Sequence, residues 1–184
     1  DPAATFWHGI FQVVSIVTTT GYTTTGFHWW PSFLPIMLIL MSAIGGCAGS
    51  TAGGMKIIRA ILIYKQGRRE IDQLIHPNAL IPIKLGGKPV PESVIDAVWG
   101  FFALYTLSYV ILALAMTATG VDLVTAFSAV TACLNNLGPG LGAVADNYAG
   151  ISASGKWILC VSMLLGRLEI FTLLVLLTPT FWRA

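Results

Sequence analysis

One short polar element centred on glycine occurs twice in a chain that is otherwise too apolar for water. The first copy is Thr18-Thr19-Thr20-Gly21-Tyr22-Thr23-Thr24-Thr25-Gly26; the second, Asn135-Asn136-Leu137-Gly138-Pro139-Gly140-Leu141-Gly142, starts 117 residues later. Each follows a short apolar stretch that stops abruptly. Irregular polar backbone at membrane depth is stable only when buried in protein or lining a cavity. The surroundings are of bilayer type: 55% of the 184 residues are hydrophobic and 10% are charged, with mean hydropathy +0.78, against about 25% charged in a soluble domain. The expected fold class is therefore an all-α membrane protein made of repeated helix–pore loop–helix units with re-entrant half-helices.

Backbone rich in glycine and threonine can present carbonyl oxygens to a dehydrated cation. Thr19-Thr20-Gly21-Tyr22 reads as a variant of the loop by which potassium filters replace the hydration shell of the ion. Four loops form such a filter. The two here leave two to be supplied by an N-terminal half of the same protein. The start at Asp1-Pro2, without Met and directly before a pore-helix-like stretch, also reads as a piece of a longer chain.

Along the sequence, Phe6 to Val17 is apolar over 12 residues, too short to span a bilayer, which takes ~20. Phe27-His28-Trp29-Trp30-Pro31 reads as an interfacial aromatic cluster. Ser32 to Tyr64 is long and apolar but holds five glycines between Gly45 and Gly54; each costs a helix ~1 kcal/mol against alanine, so this span should break near mid-membrane. Val94 to Thr119 is an uninterrupted span. Asp122 is a candidate N-cap for a second short helix, Leu123 to Leu134, and Lys156 to Trp182 is the last span. Residues 1–67 then form one pore repeat lacking its first span, 68–92 a connector, and 93–184 a complete repeat. Seven of the ten Lys and Arg (Lys56, Arg59, Lys65, Arg68, Arg69, Lys84 and Lys88) flank or lie in the polar stretch 65–92, which the positive-inside rule makes cytoplasmic. The C-terminus with Arg183 is then cytoplasmic too, and both filter elements open outwards.

Three motifs together resemble a known family. Thr18-Thr19-Thr20-Gly21-Tyr22-Thr23-Thr24-Thr25-Gly26-Phe27, Gly45-Gly46-Cys47-Ala48-Gly49-Ser50-Thr51-Ala52-Gly53-Gly54-Met55-Lys56 and Asn135-Asn136-Leu137-Gly138-Pro139-Gly140-Leu141-Gly142 look like the TrkH branch of the TrkH/Ktr/HKT superfamily of potassium transporters. The likeness covers essentially the whole chain as the C-terminal half of such a protein, its third and fourth pore repeats. It implies potassium uptake across a bacterial inner membrane and homodimers. It also implies cytoplasmic nucleotide-binding regulatory subunits of the TrkA type, lying near Lys65–Arg69. Filter positions carried over by motif are Thr19, Thr20, Gly21 and Tyr22, and Asn136, Leu137, Gly138 and Pro139, with potassium as the bound substrate. Asn136-Leu137 before the second glycine departs from the potassium-channel pattern and fits a looser filter, so a sodium-permeable or sodium-coupled transporter stands as the alternative.

The glycine-rich break can be a packing kink or an intramembrane loop across the pore. As a gate it would comprise Gly45, Gly46, Gly49, Ser50, Thr51, Gly53 and Gly54. Arg167, deep in the last span where charge is expensive, would hold that loop or act as an electrostatic barrier. Glu169 would pair with a basic residue on another helix. A Walker A loop is excluded, because Met55 separates Gly54 from Lys56 and no Ser or Thr follows. An intramembrane serine hydrolase using Ser50 would need a base, and His8, His28 and His76 all sit at edges or in the connector. No enzyme and no cofactor within this chain are expected. Cys47, Cys133 and Cys160 lack metal or disulfide spacing and read as small buried hydrophobes. Trp29, Trp30, Trp99, Trp157 and Trp182 read as interfacial anchors.

Overall fold

The computed structural model describes residues 2–31, 33–47, 49–50, 52–168, 175 and 182. Its helices are α1 (Pro2–Val17), α2 (Leu34–Ile44), α3 (Ile57–Ile75), α4 (Glu92–Thr117), α5 (Leu123–Leu134) and α6 (Ala153–Arg167), with a two-stranded hairpin, β1 (Lys84–Leu85) and β2 (Lys88–Pro89), between α3 and α4. Thr51, Glu169 and Arg183 lie outside the described residues, as does most of the last predicted span beyond Leu168.

Local chemistry accounts for several boundaries. The Asp122 carboxylate accepts the Thr125 N–H at 3.1 Å and starts α5; hydrogen bonds from Thr125 hold that carboxyl below the usual carboxylate range. Ser152 does the same for α6 by accepting from Gly155 N–H at 3.2 Å. Pro35 sits in the first turn of α2, where its missing N–H costs nothing. Among the described residues α4 is the one helix long and apolar enough to cross a membrane by itself, while α1, α2 and α5 are apolar but shorter. Leu107, Ile111 and Leu114 on α4 are exposed, as a surface turned to hydrocarbon or to further protein allows.

The two repeats share a core. Ile16, Phe27, Leu38 and Ile39 of the first pack with Leu137 and Leu141 of the second, and α2 lies against α5. Phe27 is only 2% exposed; of the aromatic cluster expected at the interface, this ring is instead a core residue, while Trp29 is exposed. The connector is also more ordered than its prolines and glycines suggest. α3 runs on to Ile75, so the expected boundary near residue 67 falls inside a helix. The hairpin then folds back, with Leu62, Ile83, Ile95 and Val98 forming a small core. Lys65 Nζ donates to the Lys84 carbonyl at 2.6 Å, and Arg69 forks onto the Glu92 carboxylate at 2.6 and 3.2 Å.

Candidate ion-conducting site

The two glycine-centred elements have one backbone. After α1, Thr18, Thr19 and Thr20 donate their N–H groups to the carbonyls of Val14, Ile16 and Ser15 at 3.0, 3.1 and 2.8 Å, and Gly21 to Ser15 at 3.4 Å. After α5, Asn135, Asn136 and Leu137 donate to Thr131, Cys133 and Ala132 at 3.0, 3.1 and 2.8 Å, and Gly138 to Ala132 at 3.5 Å. Every donor and acceptor is displaced by 117 positions. The handedness repeats too: Thr19 and Gly21 have φ of 54° and 82°, Asn136 and Gly138 of 53° and 104°, with no positive φ at Thr20 or Leu137. Backbone of alternating hand turns successive N–H groups to one side and the carbonyls to the other. With the N–H groups consumed by the preceding helix, no donor among the described residues reaches the carbonyl oxygens of Thr19, Thr20, Gly21, Asn136 or Leu137. These oxygens are left open to a ligand from outside the described residues.

The elements also touch. A β-carbon on Gly21 would overlap the Leu137 carbonyl oxygen and lie 3.4 Å from Cδ of Pro139. Beyond this the two are strapped differently. Ser15 Oγ donates to the Tyr22 carbonyl at 2.7 Å, and Gln12 Nε2 donates to that of Thr25. In the second element Tyr148 Oη donates to the Gly138 carbonyl at 2.6 Å, and Ser128 Oγ accepts the Leu141 N–H at 2.9 Å.

The glycine-rich segment is a side loop with a closed neck. α2 ends at Ile44 and α3 starts at Ile57. Met55 N–H returns to the Ala43 carbonyl at 2.8 Å and Ile57 N–H to that of Gly46 at 3.1 Å, so the two ends of the loop are bonded together. Gly46 and Gly54 have φ of 88° and 76°. Gly45 packs on the Val17 carbonyl as Gly166 does on that of Leu134, so each pore helix ends against a glycine of the following span. A β-carbon on Gly53 would overlap the Asn135 carbonyl oxygen, which puts the loop against the base of the second element. Gly49 meets nothing within 4 Å. Ser50 Oγ donates to the Cys47 carbonyl at 2.9 Å, a local turn with no histidine involved.

Thr18, Thr19, Thr20, Ala52, Gly53, Asn136 and Arg167 line one polar cavity of about 270 Å³. The first element, the loop and the deep arginine, predicted from three separate stretches, thus share one space. At the far end of the first element Thr23, Thr24, Thr25 and Asp146 line a second polar cavity of about 210 Å³. Asn135, the first residue of the second element and assigned no role of its own from sequence, is fully buried and lies against the loop at Gly53. Its signal was the doubled Asn135-Asn136 closing an apolar helix.

A family model described as "TrkH: Cation transport protein" matches residues 1–183. The chain is 58% identical over 184 residues to the Trk system potassium uptake protein TrkH of Vibrio parahaemolyticus, covering all of this chain and 38% of that protein. It is 58% identical over 173 residues to TrkH of Escherichia coli K12, covering 36% of it, and 41% identical over 184 residues to the Trk system potassium uptake protein TrkG of the same strain. The crystal structure of the potassium transporter TrkH from Vibrio parahaemolyticus superposes with a TM-score of 0.92 at 58% identity, over 100% of this chain and 39% of that one. The chain thus spans less than two-fifths of the relatives it matches, and over that span it belongs to the TrkH family of cation transport proteins.

Proposed function

We propose that the chain forms part of a potassium uptake pathway across the bacterial inner membrane. Thr19, Thr20, Gly21 and Tyr22, with Asn136, Leu137, Gly138 and Pro139, supply two sides of a selectivity filter. Residues 1–67 and 93–184 act as the third and fourth pore repeats around it, joined by the connector 68–92. The observation that carries this reading is the duplicated backbone, in which pore-helix carbonyls take the N–H groups and three of the four filter carbonyls in each element remain for a cation. The side loop from Gly45 to Gly54 is the gate and Arg167 its neighbour across the cavity. An N-terminal half of the same protein completes the ring, a second copy forms the homodimer, and TrkA-type nucleotide-binding subunits act from the cytoplasm.

The test is flux through the full-length protein in liposomes. Potassium-driven uptake should exceed sodium-driven uptake; equal rates would favour the sodium-permeable reading. Each element keeps the same number of filter carbonyls unpaired among the described residues, since Ser15 Oγ occupies that of Tyr22 in the first and Tyr148 Oη that of Gly138 in the second.

Orientation follows from the basic residues around the connector. A cysteine replacing Gln73 is expected to react with a membrane-impermeant thiol reagent in inside-out vesicles and to stay unlabelled in intact cells. Labelling in intact cells would reverse the topology and the outward-facing filter with it.

A further inference from the structure

We propose that Asn135 is a positioning residue that braces both flanks of the glycine-rich loop against the second filter element; the proposal rests on the reading of that loop as the gate. Its amide has one orientation. Ser42 Oγ donates to the Ile39 carbonyl at 2.6 Å and so accepts from Asn135 Nδ2, at 2.9 Å. Oδ1 then faces Tyr105 Oη, which donates to it at 2.6 Å. Ser42 lies on α2, one residue before the Ala43 carbonyl that closes the neck of the loop. On the other flank Arg59, two residues beyond Ile57, sits over the Phe101 ring, its Cζ 4.1 Å from the centroid. Phe101 stacks on Tyr105 at 6.0 Å between centroids. The α2 flank thus bonds the buried amide through Ser42, the α3 flank reaches it at one remove through Phe101 and Tyr105, and the Asn135 carbonyl meets the loop itself at Gly53.

Filter geometry alone does not require this side chain. The residue 117 positions earlier, Thr18, supports an equivalent backbone while donating its hydroxyl into its own helix, to the Val14 carbonyl at 2.7 Å. Asn135 departs from the repeat where the second element faces the loop. The buried hydrogen-bond chain Ser42–Asn135–Tyr105 favours one arrangement of the parts it joins, and here those parts are filter and gate.

Cys47, exposed and inside the loop, reports its position in full-length protein with the other cysteines replaced. Ser42→Ala and Tyr105→Phe should each speed Cys47 modification by a small charged thiol reagent about fivefold, on the scale of one net hydrogen bond. Each should raise flux without regulatory subunits by a similar factor. Because both act through Asn135, the double variant should fall short of the product. Ser42→Thr, which restores a hydroxyl, should react with its parent's rate. Tyr105→Phe removes a single oxygen and keeps the test open if Ser42→Ala does not reach the membrane. Parental Cys47 rates in variants with an unchanged melting temperature would overturn the proposal, as would Ser42→Thr behaving like Ser42→Ala. The gate reading fails separately: if loop deletion leaves flux unchanged while Cys47 still responds, the brace stands and the gate does not.

Discussion

Replacing Gly21 by serine in the full-length protein is expected to cut potassium uptake, or the preference for potassium over sodium, by at least about tenfold. Two effects act together. The position has φ of 82°, a left-handed conformation in which strain costs a residue with a β-carbon ~1–3 kcal/mol. The added carbon would also overlap the Leu137 carbonyl oxygen of the neighbouring element. Relief has to come from moving one of two backbones, and both carry the carbonyls assigned to the ion. Since ~1.4 kcal/mol is a factor of ten in rate, even a share of that strain reaching the ion path is measurable. Flux from liposomes under potassium and sodium gradients at matched protein density is the measurement. Uptake and selectivity equal to the parent's would remove Thr18–Gly26 from the filter.

Shortening the side loop should do the opposite. Deleting residues 48–52 removes no partner of the neck bonds from Met55 N–H to Ala43 and from Ile57 N–H to Gly46, so the ends of α2 and α3 can stay joined. If the loop occludes the pore, flux without regulatory subunits should rise, by ~5- to 150-fold for a coupling free energy of ordinary size. Arg167→Ala should give part of the same increase, because Arg167 lines the cavity together with Ala52 and Gly53. Combining the two separates the roles of the arginine. Effects that do not add mean that Arg167 acts by holding the loop; effects that multiply mean that it is a separate electrostatic barrier. Flux at the parental level in a correctly inserted deletion protein would reduce the segment to a packing kink.

How much of this could be read from residues alone depends on the range of the forces involved. The short helix at Leu123–Leu134 was legible to the residue, because an N-cap aspartate and a terminal asparagine pair act within a turn or two. The break between Ile44 and Ile57 was legible for the same kind of reason, since five glycines remove the side chains that favour helix. The 117-residue repeat was visible as letters, and its backbone equivalence followed from helix ends that are chemically alike.

What lies between segments was not legible. No local signal pairs Gly21 with Leu137, seats Gly53 on Asn135, or ties Ser42 to a residue 93 positions away. Nor does local pattern bury Phe27, which read as an interfacial ring, or fold a proline-rich connector into a hairpin around Ile83. These follow from close packing of α2 against α5 and of α3 against α4, where shape and the need to satisfy buried polar groups choose the partners. Sequence by itself determined the short helices, the glycine-rich break and the types of atom available to an ion, but not the extension of α3 to Ile75. Tertiary structure alone decided which of those atoms face one another, because that choice is made by contacts between segments far apart in the chain.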